Sequence, residues 1–109
     1  MDVMKLEHET GTIIGIAYEV MNEVGFGFRE KAYERAMVRE FQLRSIGYDQ
    51  QREFPLTYKD TVIDTLIPDL IAFDQIIVDT KTIKTITDRE LAQMLSYLKA
   101  TGLPIGLII

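Results

Sequence analysis

Pro68-Asp69 and Asp79-Thr80-Lys81, separated by nine residues, put two carboxylates and an amine into otherwise apolar sequence. Ile63, Thr65, Ile67, Asp69, Ile71 and Phe73 follow strand periodicity, so Asp69 is expected on a face with isoleucines and a phenylalanine. Ile77, Asp79, Lys81 and Ile83 share one face of the next apolar run. Charges in such strands are unfavourable when buried unless they have partners: a metal, a substrate or each other. Antiparallel pairing of the two runs can set both carboxylates side by side. Like charges that close call for a cation. Plainer readings exist. Pro-Asp is turn chemistry, although Leu66-Ile67 and Leu70-Ile71-Ala72-Phe73 are poor flanks for an open turn. Asp79 and Lys81 also fit an exposed i,i+2 pair of small energetic weight.

Three further residues share faces with apolar neighbours. Glu30 leads a helical stripe through Tyr33 and Met37; its ordinary role would be a first-turn carboxylate near the helix dipole. Gln93 and Tyr97 are four apart on one helix face, where surface packing alone would explain them. There is no cysteine, and His8 is the one histidine, expected to be an exposed N-terminal residue. Thiolate and multi-histidine metal sites are thereby excluded. A metal would need oxygen ligands, which points to Mg²⁺, Mn²⁺ or Ca²⁺ rather than zinc.

The elements that must hold these residues read as follows. A helix is expected over Glu9–Val24, with Ile13, Ala17, Val20 and Val24 as its apolar stripe and Ile14 and Met21 beside it. Gly25-Phe26-Gly27 breaks it. A second helix is expected over Arg29–Ser45, with Ala32, Tyr33, Ala36, Met37 and Phe41 inward, Arg35, Arg39 and Arg44 in solvent, and Gly47 as its stop. Strands are expected over Glu53–Lys59, Val62–Phe73 and Ile76–Ile83. Lys59-Asp60 and Asp74-Gln75 would join them into an antiparallel meander. A third helix spans Asp88–Ala100, with Thr87 or Asp88 as N-cap and Gly102 as stop. Leu103–Ile109 reads as a buried last strand, parallel to the meander. The methionines and Phe26, Phe28, Phe41, Phe54 and Phe73 are assigned to the core.

With 109 residues, 47% of them hydrophobic, and no repeat or linker, the chain is expected to be one α/β domain over 1–109. The net charge of −5 argues against a broad electrostatic footprint on duplex nucleic acid. A metal-dependent nuclease remains compatible, because site carboxylates lower the apparent charge until cations bind. No apolar run approaches the roughly 20 residues of a membrane span. The stretch Met1–His8 is too polar for a secretory signal, so a cytoplasmic protein with no membrane role is expected.

Taken together and in order, these segments resemble one family. Gly27-Phe28-Arg29-Glu30-Lys31-Ala32-Tyr33 resembles the motif that names the GxxExxY proteins. Pro68-Asp69 with Asp79-Thr80-Lys81 resembles the signature of the PD-(D/E)XK nuclease superfamily, to which that family belongs. The segment from Gln93 to Leu103 resembles the family's QxxxYL segment, and Gly106–Ile109 its closing strand. The resemblance implies a restriction-endonuclease-like αβββαβ core with an additional N-terminal helix and a mixed sheet. It also implies an Mg²⁺- or Mn²⁺-dependent site that hydrolyses phosphodiester bonds in DNA or RNA. By motif, Asp69 and Asp79 would ligate the metal, with the main-chain carbonyl of Thr80 as a further oxygen. Lys81 would orient or help deprotonate the attacking water and stabilise charge on the phosphate. Glu30 would complete the site from its helix, directly or through water. Gln93 and Tyr97 would position substrate or brace the ligands. Asp79 stands where the family more often has Glu, and Thr80 where an apolar residue is more usual.

Two other readings stand beside hydrolysis. One is a non-catalytic nucleic-acid-binding or regulatory module on the same fold. The other is an interaction domain that forms a homodimer through exposed apolar surface.

Overall fold

Among the described residues the chain order is α1 (Val3–Val24), α2 (Glu30–Leu43), β1 (Tyr48–Gln50), β2 (Phe54–Tyr58), β3 (Thr61–Leu66), β4 (Leu70–Ala72), β5 (Ile76–Asp79), α3 (Asp88–Thr101) and β6 (Ile105–Ile108). The structure is a computed structural model and describes residues 3–83 and 85–109. Met1 and Asp2, which open the polar N-terminal stretch, lie outside it.

Helix α1 starts earlier than expected, at Val3 rather than Glu9. Leu6, Glu9, Ile13, Ile16 and Val20 form its buried stripe, at alternating spacings of three and four. Extending the stripe back to Leu6 rotates the helix. Ile16 becomes fully buried, Ala17 is half-buried, and Ile14 and Met21 face solvent. Gly25 and Gly27 then take positive φ, at 81° and 97°, and turn the chain. Helix α2 buries Tyr33, Glu34, Met37, Val38 and Phe41. It stops at Leu43, short of the expected Ser45, because Ser45 itself takes the left-handed conformation with φ 54°. Gly47 instead accepts the Phe73 N–H on its carbonyl at 2.9 Å. Arg35, Arg39 and Arg44 face solvent, as the pattern requires.

The expected single strand Val62–Phe73 is two strands in two sheets. Pro68 offers no N–H and restricts the residue before it, so pairing lapses between β3 and β4. Strand β3 pairs with β2 in a two-stranded sheet, while β4 enters a four-stranded sheet of order β1-β4-β5-β6. The meander is therefore two antiparallel pairs rather than one continuous sheet. Ile63 and Thr65 are exposed and do not share a face with Asp69. Strand β1 pairs with β4 through Asp49↔Ile71, and its three residues are too few and too polar to show a period. The expected Ile76–Ile83 strand ends at Asp79, so Ile83 lies beyond it and is exposed.

Both hairpins close with two residues at positive φ, the geometry that matches strand twist. Lys59-Asp60 does so where expected, at 47° and 66°. The second turn is Phe73-Asp74, at 56° and 58°, one position earlier than expected. Phe73 accordingly belongs to a turn and not to a strand.

Sheet alternation gives two cores. Leu70, Ala72, Ile76 and Val78 pack with Ile13, Ile16, Val20, Met37 and Phe41 of the two N-terminal helices. Ile71 and Ile77 pack on the opposite face with Met94, Tyr97 and Leu98 of α3, and with Phe54. Helix α3 follows Thr87, whose hydroxyl bonds the Glu90 carboxylate, and ends at Gly102 with φ 74°. Strand β6 runs parallel to β5, with Ile77↔Gly106 and Val78↔Leu107. It is an edge strand and half-buried, not the deeply buried strand expected. Phe26 and Phe28 also depart from the core assignment: they are 86% and 54% exposed on the α1–α2 turn.

The result is a mixed α/β architecture with a mixed sheet, consistent with the restriction-endonuclease-like arrangement.

Candidate metal and phosphate site

The β4–β5 register pairs Leu70 with Val78, and continuing it one step sets Asp69 opposite Asp79. The pleat puts both on the α3 face, in line with Ile71 and Ile77. Asp79 is 6% exposed and Asp69 half-buried. Beyond the strand end, the Lys81 ammonium Nζ lies 3.1 Å from Asp79 Oδ2. The three charged residues singled out by their apolar surroundings thus form one group at the carboxyl end of β5.

Their electrostatics follow from that placement. Burial pushes the Asp69 carboxyl up to about 6, and the hydrogen bond and charge of Asp79 push the same way. Gln51 and Lys81 oppose this. Burial alone would lower the Lys81 ammonium, but the hydrogen bond and charge of Asp79 outweigh it. The charges of Glu30 and Asp69 add to them, and the group ends above the usual lysine value. On α3, the Tyr97 hydroxyl is raised by burial and then by the charges of Asp79 and Asp69. Tyr97 packs against Ile71 and Ile77, on the sheet face that carries the carboxylate pair, and it accepts a hydrogen bond from Gln93 Nε2 at 3.3 Å.

Glu30 meets the same region from the other side of the strand exit. Its main-chain carbonyl accepts from Thr80 Oγ1 and its Oε1 from the Thr82 N–H, both at 3.4 Å. With Lys81 and Gln93 it lines a polar cleft of about 310 Å³. Among the described residues no group of three acidic or histidine side chains is placed to hold a metal ion; Asp69 and Asp79 meet as a pair, with the Glu30 carboxylate at the Thr82 N–H. The Asp79 carbonyl and the Lys81 N–H both bond Ile109, at 2.9 and 2.8 Å. Strand alternation turns the Thr80 carbonyl the other way, to the side of β4 and Asp69.

Sequence reasoning missed the group that steadies Asp69. The Gln51 N–H donates to the Asp69 carbonyl at 3.1 Å, and Gln51 Nε2 reaches Asp69 Oδ1 at 3.5 Å and Glu34 Oε1 at 3.4 Å. Glu34 is 2% exposed and also accepts from Lys31 Nζ at 2.9 Å and Gln50 Nε2 at 2.8 Å. A signal for Glu34 existed. It lies on the helical stripe that continues through Val38 and Phe41, an apolar face interrupted by one carboxylate.

The donor set suits a hard divalent cation. It consists of oxygens, and its like-charge pair is relieved either by a proton on Asp69 or by a cation between the two groups.

The family model for the PD-(D/E)XK nuclease superfamily matches residues 7–109. The chain belongs to that superfamily. In this PD-(D/E)XK protein the matched range includes Pro68-Asp69 before β4 and Asp79-Thr80-Lys81 at the end of β5. Nucleases of the superfamily generally use divalent metals. No curated protein and no solved structure matches the chain. Among the described residues no helix is long and apolar enough to cross a membrane.

Proposed function

We propose that this PD-(D/E)XK protein is a single-domain nuclease of the GxxExxY group, acting in the cytoplasm on phosphodiester bonds of DNA or RNA with Mg²⁺ or Mn²⁺. The observation that carries the reading is the Asp69–Asp79 pair with Lys81 on Asp79, at one end of the β4–β5 ladder.

Asp69, Asp79 and the Thr80 carbonyl hold the ion in this reading. The bound ion supplies Lewis acidity to the phosphoryl group and to water. Lys81 keeps its proton, which favours a role opposing charge on the phosphate over proton abstraction. Glu30 closes the cleft beside Lys81, acting through water, and keeps the Thr80–Thr82 segment in place. Gln93 and Tyr97 brace the carboxylates and the substrate from α3. The test is cleavage of single- and double-stranded DNA and RNA with Mg²⁺ or Mn²⁺. Asp69→Ala and Lys81→Ala are expected to abolish it, and full activity in either variant would falsify the assignment.

The non-catalytic module draws support from one observation: among the described residues no third acidic side chain joins the Asp69–Asp79 pair, and Glu30 is turned to Thr82. In that reading calorimetry detects metal binding that Asp79→Ala abolishes, and no strand is cut.

A further inference from the structure

On the far side of the Thr80–Ile83 segment lies a second, larger cavity of about 560 Å³. Met21, Phe26, Phe28, Tyr33, Lys81 and Ile83 contribute to its walls. Lys81 and Ile83 also line the polar cleft, so the two spaces adjoin along this segment. The volume falls in the range of small-molecule sites, about 300–1,000 Å³.

The aromatic rim is held in place. The Tyr33 hydroxyl donates to the Gly25 carbonyl at 2.7 Å and accepts from the Phe28 N–H at 3.4 Å, which ties both ends of the turn to α2. Gly25 and Gly27, at positive φ, set the turn that carries Phe26. Phe26 and Phe28 stay exposed on this fixed turn and line the same cavity as Lys81.

We propose that this cavity is a base-binding subsite. It takes one unpaired nucleobase of a single-stranded segment, next to the phosphate held at Lys81. Three features favour that occupant. Phenylalanine rings offer sequence-tolerant stacking faces for bases. Lys81 lines both spaces and carries its ammonium on the Asp79 side, where a phosphate flanking the base would meet it. A base inside a duplex is stacked between its neighbours and cannot enter a concave pocket without being flipped out. The net charge of −5 is also ill suited to gripping a duplex along its backbone. The inference rests on the nuclease reading for the position of the phosphate, and it adds the single-stranded preference.

The test is a fluorescence titration with a single-stranded tetranucleotide carrying 2-aminopurine, in Ca²⁺. An abasic strand of equal length and a hairpin duplex serve as competitors. Quenching on binding is expected, with the abasic strand at least about fivefold weaker. Phe28→Ala and Phe26→Ala are expected to erase that difference while the melting temperature holds, both side chains being exposed. Equal affinity for normal and abasic strands, a duplex bound as tightly as the single strand, or no strand bound at all overturns the subsite. So does a shift in oligomeric state on Phe28→Ala with strand affinity unchanged, which would make the cavity a self-association surface. Cleavage assays separate this from the broader reading. A protein that cuts strands without distinguishing abasic ones loses the subsite and keeps the nuclease assignment. One that distinguishes them but cuts nothing keeps the subsite and loses hydrolysis.

Discussion

Gln51 holds Asp69 at two points: its N–H donates to the Asp69 carbonyl at 3.1 Å, and its side-chain amide reaches the Asp69 carboxylate at 3.5 Å. The same amide reaches buried Glu34 on α2, so the position of one carboxylate of the pair depends on a helix on the opposite face of the sheet. Gln51 adopts φ 58° to make these contacts.

Gln51→Ala should therefore weaken the site without emptying it. The Gln51 hydrogen bond favours the charged form of Asp69, so its loss moves that carboxyl further up. Removing a partner that orients a metal ligand typically lowers metal affinity about 10- to 100-fold. Calorimetry with Mn²⁺ should show a drop near the lower end, since the contact is long. Glu34→Gln should produce a smaller drop of the same sign, and an unchanged affinity in both would dismiss the coupling.

The raised Asp69 carboxyl fixes the sign of a pH effect. Its folded value of about 6 exceeds the ordinary aspartate value of 3.8, so the folded state binds the proton more tightly. Asp69 therefore favours the folded metal-free protein most at low pH, and this contribution is lost as pH rises from about 4 to about 6. Other groups add their own slopes, so the measurement is a difference. The melting temperature of wild type minus that of Asp69→Asn, in EDTA, should fall across that window. Adding Mn²⁺ should reverse the loss above pH 6 in the wild type alone, because the cation replaces the proton. A flat difference curve would show that the two carboxyls do not share a proton.

Gly106 carries a packing requirement that can be tested by a double-mutant cycle. A Cβ at this position would meet Met94 Sδ at 2.2 Å and Cγ at 2.7 Å, where α3 crosses β6. Gly106→Ala should destabilise the protein by roughly 1–3 kcal/mol, the usual range for overpacking. Met94→Ala opens the space, so the two changes together should cost less than their sum. Urea denaturation of the four proteins measures the coupling. Additive losses would mean that Met94 swings aside freely.

Pattern reading recovered the elements whose period was clean. Asp69, Asp79 and Lys81 stand out because each interrupts an apolar alternation, and the register brings the two carboxylates together. The break at Pro68 is hidden in the sequence because the alternation of Ile63, Thr65, Ile67 and Ile71 runs through it unchanged. Only the missing proline N–H and its effect on the preceding residue divide the sheets. Strand β1 was invisible: Tyr48, Asp49 and Gln50 form a strand through tertiary pairing with β4 rather than through propensity. Phe26 and Phe28 were placed in the core on residue type alone. The flanking glycines, which turn the chain outward, were the better guide.

Lys81 offers the sharpest separation of binding from turnover. Its ammonium lies 3.1 Å from Asp79 and feels the charges of Glu30 and Asp69, so in the metal-free protein it partly neutralises the site. A cation entering between Asp69 and Asp79 must compete with that charge. Lys81→Met keeps an unbranched apolar stem as far as the ε position and removes the charged amine. Mn²⁺ affinity in this variant should hold or rise. Strand cleavage should fall at least about 100-fold, the loss typical of removing one group that stabilises developing charge. Calorimetry and a single-turnover cleavage assay on the same preparation read the two quantities. If both fall together, Lys81 serves to assemble the ion site; if neither changes, the lysine is an ordinary partner of Asp79 and the proposed hydrolytic site is wrong.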